Sequence, residues 1–223
     1  MKFCLLPSIV FCCCVALSAS VSAQTTPPDD EDVQSWNDLQ VTVPITKKID
    51  FVIMGTVRFG KDVSRITEAR AGAGVVWKVN KAFSVSPSYL YIEARNTAGI
   101  FRTEHRYSLR GAYKFPIKRF GLSHRSMYEY RVRGTGNSWR YRPSLTFEKV
   151  IPENIIPKAK LFITEEVFYV STHKKFTRNR LSVGISKTLN QHLTLDLFYM
   201  RQNDGNSQPG DLNVIGTTWK IHL

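Results

Sequence analysis

From about residue 35 to the last residue, apolar and polar positions alternate with a period of two, the signature of strands with one apolar face. In 49–60, Phe51, Ile53, Gly55, Val57 and Phe59 share one face, and Asp50, Thr56 and Arg58 the other. Ala69, Ala71, Ala73, Val75 and Trp77 oppose Glu68, Arg70 and Lys78, while Tyr107, Leu109, Gly111 and Tyr113 oppose Glu104, Arg106, Arg110 and Lys114. Leu122, Tyr128, Tyr130 and Val132 oppose Arg125, Glu129, Arg131 and Arg133. Tyr141, Pro143, Leu145 and Phe147 oppose Arg140, Arg142, Thr146 and Glu148. Further on, Leu181, Val183 and Ile185 oppose Arg178, Arg180 and Ser182, and Leu193, Leu195, Leu197 and Tyr199 oppose Asp196. Charges keep to one parity in nearly every stretch. A soluble sandwich or lipocalin-like barrel also alternates, with its apolar face inward. Strict charge parity is what hydrocarbon enforces, since a lipid-facing charge at the midplane costs ~2–4 kcal/mol.

The fold expected is therefore all-β: a transmembrane up-and-down antiparallel β-barrel of 10–12 strands in meander order. Stretches of roughly 10–12 residues suit a tilted crossing. Aromatics near their ends (Trp36, Phe59, Trp77, Phe83, Tyr91, Phe115, Phe120, Trp139, Tyr199, Trp219) suit interfacial girdles. Tight turns are expected to alternate with longer outer loops. Eleven stretches can be counted, whereas bacterial single-chain barrels have even numbers. Either 35–45 is not a full strand, or a short strand precedes it. Adjacent Glu165 and Glu166 cannot both point inward, so a bulge or a rim position is expected there. Gly216, Trp219, Ile221 and Leu223 end the chain in a pattern resembling the C-terminal assembly signal of outer-membrane proteins.

Composition narrows the setting. Residues 1–23 read as a cleaved signal peptide: Lys2, an apolar run from Leu5 to Leu17, then Val21-Ser22-Ala23. All four cysteines (Cys4, Cys12, Cys13, Cys14) fall inside it, so disulfides, thiolate metal sites and cysteine nucleophiles are not expected beyond it. An acidic segment, 24–34, precedes the barrel at 35–223, and 25–32 could thread a basic lumen. The net charge of +13 would suggest nucleic acid, but secretion to a Gram-negative outer membrane argues against that partner. The expected partners are outer-membrane lipids and lipopolysaccharide, the barrel assembly machinery and small anionic solutes.

Trp36 with Arg58-Phe59, the Tyr128-Glu129-Tyr130-Arg131 region, Asn179-Arg180-Leu181-Ser182-Val183-Gly184 and 195–202 (Leu-Asp-Leu-Phe-Tyr-Met-Arg-Gln) together resemble the bacterial outer-membrane family known as domain of unknown function 2490. The likeness covers about residues 35–223. It implies an outer-membrane barrel and supplies neither substrate nor site residues.

The inward parity collects Arg58, Arg70, Arg106, Arg110, Arg125, Arg131, Arg140, Arg142 and Arg180, with Asp50, Glu68, Glu93, Glu104, Glu129, Glu148 and Asp196. Such a set serves either as ion-pair ladders filling a small barrel or as the wall of a narrow, porin-like, anion-biased pore, because guanidinium groups bind carboxylate and phosphate bidentately. The function expected is non-enzymatic, structural or pore-forming. The alternative is an outer-membrane lipid hydrolase: His124 and Ser126 share the apolar parity, where an imidazole could activate a hydroxyl at the lipid. Outer-membrane phospholipases and lipid A deacylases place such a pair there, but they continue with Asn and a small residue, where this chain has Met127 and Tyr128. No metal site is expected, because His105, His124, His173, His192 and His222 are scattered over separate stretches, and no cofactor is expected.

Overall fold

The alternating stretches become eleven strands in a computed structural model that describes residues 31–96 and 98–223. They are β1 (Glu31–Pro44), β2 (Ile49–Gly60), β3 (Arg65–Lys78), β4 (Phe83–Arg95), β5 (Phe101–Lys114), β6 (Gly121–Arg133), β7 (Ser138–Val150), β8 (Ala159–Val170), β9 (Lys175–Thr188), β10 (Leu193–Asp204) and β11 (Asp211–His222). The signal peptide, its cysteines and residues 24–30 lie outside the described residues. Each strand pairs antiparallel with its sequence neighbours, and β1 closes the ring against β11.

The count is neither ten nor twelve. With an odd number of alternating strands the first and last run the same way, so closure must be parallel. It is, from Glu31↔Asp211 to Thr42↔His222. The register keeps parity across this seam: Trp36 pairs with Gly216, and Leu39 with Trp219. β1 begins at Glu31, upstream of residue 35, so Glu31 and Asp32 belong to the wall. Asp32 accepts from the backbone N–H of Lys61 (3.1 Å) and Asp62 (2.9 Å), two residues of positive φ, and so shapes the β2–β3 connection. Arg201 clamps Glu31 (2.7 Å) and Asp211 (2.8 Å), fastening the start of β1 to its neighbours.

The wall has its greasy side out. Leu109 is 54% exposed and Ile215 66%, whereas the charged partners of such residues are buried within the cylinder. This inverts a soluble barrel. Closure leaves no strand edge unpaired, which a bilayer requires, since lipid cannot hydrogen-bond a free backbone group. The barrel is thus a transmembrane one.

For orientation, the rim carrying connections 61–64, 96–100, 134–137, 171–174 and 205–210 is called upper, and that carrying 45–48, 79–82, 115–120, 151–158 and 189–192 lower. Connections run from four to eight residues, with the longest at the lower rim, so long loops do not distinguish an outer side. Short polar side chains build several lower turns. Asn80 Oδ1 accepts from the N–H groups of Ala82 and Phe83, each at 2.8 Å, and Asn190 Oδ1 from His192 at 2.8 Å.

Parity also corrects three expectations. Trp36 is not an interfacial residue: it shares the inward face with Gln34 and Asp38 and is only 4% exposed. Glu93 pairs with Thr103 on the outer face and accepts from its hydroxyl at 2.6 Å, so it does not line the lumen. Of the two adjacent glutamates, Glu166 points in and Glu165 out. The β8–β9 bulge falls later, between Phe168 and Tyr169, and does not relieve Glu165.

Candidate functional site: an arginine-lined chamber

Two different interiors meet inside the cylinder. On one side, Trp36, Met200, Leu212 and Val214 form an apolar cluster, with Phe198 packed against it. Gly216 makes room for that ring, because a Cβ there would overlap Phe198. Beside and opposite it, β2, β3, β5, β6, β7 and β9 send arginines inward, and β8 sets Glu166 and Phe168 among them. An apolar sector inside a membrane barrel is the part that inward-charge reasoning missed. The parity of Asp196, Phe198 and Met200 was the available signal.

The basic sector is an ion-pair lattice rather than a set of separate bridges. Glu104 accepts from Arg106 (2.7 Å) and bidentately from Arg131 (2.9 and 2.6 Å). Glu129 accepts from Arg140 (2.9 and 2.6 Å) and Arg142 (2.7 Å), with Arg106 at 3.8 Å. Glu166 accepts from Arg142 (2.8 Å) and Arg125, with Arg180 at 4.0 Å. Separately, Glu68 holds Arg58 (3.0 Å) and Arg70. Eight guanidinium groups thus share four carboxylates. The surplus charge is spread over rings as well. Arg180 lies between Trp36 (4.8 Å) and Phe168 (4.7 Å), Arg58 covers Trp36 at 3.4 Å, and Arg142 covers Phe168 at 4.5 Å. Phe168 is 1% exposed, walled by guanidinium groups rather than by lipid.

Above this lattice a cavity of about 350 Å³ opens toward connections 171–174 and 205–210. Nine arginines line it (Arg58, Arg70, Arg106, Arg131, Arg133, Arg140, Arg142, Arg178 and Arg180) against Glu68 and Asp204. Arg178 is held by Asp204, with Nε to Oδ2 at 2.7 Å. Arg133 and Arg178 join the chamber beyond the residues singled out from the sequence. The buried Nε groups of Arg58, Arg70, Arg133 and Arg142 have no acceptor. In a low-dielectric wall such donors favour an anion.

The remaining lumen residues sit below. Arg110 points inward with Ser86 as a distant partner, 3.4 Å away. Near the lower rim three lysines are matched one to one with acids: Lys78–Asp50 (2.7 Å), Lys160–Glu148 (2.6 Å) and Lys220–Asp196. Glu148 and Asp196 therefore line the lumen far from the chamber. At the closing strand, Gly216 faces in, Trp219 and Ile221 face out, and Leu223 donates its N–H to Thr42 O (3.1 Å).

On the outer wall, His124 Nε2 and Ser126 Oγ are 3.0 Å apart, and Ser126 Oγ is 2.9 Å from the Tyr141 hydroxyl. No group of three or more His, Cys, Asp or Glu residues that could hold a metal occurs among the described residues.

Residues 33–213 match the model of the family described as protein of unknown function, DUF2490. The chain belongs to this family. A solved structure similar to this DUF2490 barrel is the anion-selective porin from Comamonas acidovorans. It is 11% identical, with a TM-score of 0.40, over 79% of this chain and 54% of that one. The DUF2490 chain spans about half the length of that porin. No curated protein matches it.

Proposed function

We propose that this chain is a non-enzymatic barrel of the bacterial outer membrane whose lumen is a narrow, anion-biased pore. One observation carries the reading: eight guanidinium groups share four carboxylates, and seven of those eight, joined by Arg133 and Arg178, line the chamber. That surplus attracts anions and repels cations at the mouth, as charged rings do in channels. Its walls suit carboxylate and phosphate, which guanidinium forks engage bidentately. The lattice and Phe168 narrow the way through, so small unitary currents are expected. The protein, refolded into planar bilayers under a salt gradient, should give a reversal potential of anion preference. That preference should fall in Arg133→Ala and Arg178→Ala, which trim the chamber and leave the lattice beneath it. Cation preference, or currents indifferent to both substitutions, would refute the reading.

The 3.0 Å contact between His124 and Ser126 favours a second reading, a lipid hydrolase. Two features oppose it. Both residues lie within β6 on the lipid face, with their backbone N–H groups in sheet pairing, so no pair of amides is free to hold an oxyanion. Water, the second substrate, is scarce at that depth. Release of fatty acid from phospholipid vesicles, abolished in Ser126→Ala, would establish the hydrolase.

A further inference from the structure

The outer wall of β6–β8 carries polar groups that acyl chains cannot satisfy. Glu165 lies mid-strand on the lipid face, between Leu145 and Leu181 on the flanking strands. Its Oε1 is covered by its own chain without a hydrogen-bond partner, and the other carboxylate oxygen, not so covered, is the one a second molecule can reach. His124 and Ser126, two strands away on β6, and Tyr141, on the intervening β7, are joined by two hydrogen bonds. A neutral imidazole and two hydroxyls hold three polar protons, and two contacts consume two of them. Whichever imidazole nitrogen carries the proton, one donor is left over. An unused acceptor and an unused donor thus share one lipid-facing patch. Elsewhere on the wall such groups satisfy each other: Thr217 donates to Asn37 (2.9 Å), and Tyr199 to Asn213 (2.6 Å).

We propose that this patch is the contact between two copies of the chain in the membrane. Leu145 pairs with Glu165 on one side and with His124 on the other. Barrel strands tilt by about 35–45°, and hydrogen-bonded rungs climb toward the upper rim as strand number rises. One rung runs from Trp36 through Gly216, Phe198, Gly184 and Phe162 down to Glu148 near the lower end of β7. The climb brings Glu165 about level with Ser126. A two-fold axis along the membrane normal beside Leu145 reverses left and right and keeps height. Glu165 of each copy then faces the partner subunit's Ser126, as an isologous contact requires. Each carboxyl accepts the spare proton of the opposite cluster, away from lipid, and the two Leu145 side chains meet near the axis. This is independent of the pore and of any hydrolysis.

The test uses the absence of cysteine from residues 24–223. In phospholipid vesicles, Leu145→Cys should form a disulfide-linked dimer readily, and Ile53→Cys, on the far side of the wall, should not. Energy transfer between labelled copies should report a dimer that Glu165→Leu weakens about tenfold or more. Glu165→Leu is expected to fold as the parent does, by heat-modifiable gel migration, because it places an apolar residue in lipid. Ser126→Ala combined with Tyr141→Phe should weaken the dimer comparably from the other side. A parent protein monomeric at every protein-to-lipid ratio would overturn the proposal. So would undiminished dimerisation of Glu165→Leu, or crosslinking through Ile53→Cys as fast as through Leu145→Cys.

Discussion

Removal of the Glu129 carboxylate tests the lattice most directly. Glu129 is 2% exposed and accepts three charge-assisted hydrogen bonds, two from Arg140 and one from Arg142, with Arg106 near by. Glu129→Gln keeps the volume and one acceptor but strands buried positive charge from β5 and β7. Breaking a buried pair from one side typically costs about 3–5 kcal/mol, because the surviving ion stays unpaired in low dielectric. Glu148→Gln is the matched control. Its bridge to Lys160 (2.6 Å) has both side chains more than a third exposed, and such pairs are worth about 0–1 kcal/mol. Reversible urea unfolding in lipid vesicles, followed by tryptophan fluorescence, would read the difference. With a slope of about 2 kcal/mol per molar, the midpoint of Glu129→Gln should fall by roughly 1.5–2.5 M, and that of Glu148→Gln by under about 0.5 M. Equal shifts would mean that water reaches Glu129 freely and that the lattice does not behave as a buried unit.

Ile53→Lys, which puts a charge on the outer face of β2, should cost about 2–4 kcal/mol in the same assay. Trp36→Ala empties the apolar cluster and removes the ring beneath Arg58 and Arg180. It should cost about 3–5 kcal/mol, and a loss under 1 kcal/mol would argue that Trp36 does not face the lumen. Gly216→Val, forced against Phe198, should destabilise by about 1–3 kcal/mol and slow refolding in detergent, which gel migration would follow.

Much of this molecule was legible from the chain. Parity placed Arg58, Arg106, Glu129, Arg142 and Arg180 inside the cylinder and Ile53, Leu109 and Tyr128 outside, because hydrocarbon enforces a two-residue rule at each strand. What parity does not carry is register. Arg125 reaches Glu166 across the whole of β7, and no local pattern in either strand announces that pairing. Trp36 was misplaced because aromatics near strand ends suit the interface, yet its neighbours Gln34 and Asp38 shared its parity and marked it as inward. Glu165 and Glu93 broke the charge rule outright. Glu93 finds Thr103 near the upper rim, whereas Glu165 Oε1 finds no hydrogen-bond partner among the described residues. The parallel seam was hidden because evenness is a habit of the class rather than a consequence of any residue.

The odd strand number has a topographical consequence. β1 starts at the upper rim with Glu31, and β11 finishes at the lower rim with His222. The two extremities of the described polypeptide therefore open into different compartments. In a barrel with an even count they would emerge together, and the hairpins could insert pairwise from one side. Here one unpaired segment must itself travel through the bilayer before the wall can be sealed. Labels confined to one compartment should accordingly reach Glu31 or Leu223, and never both.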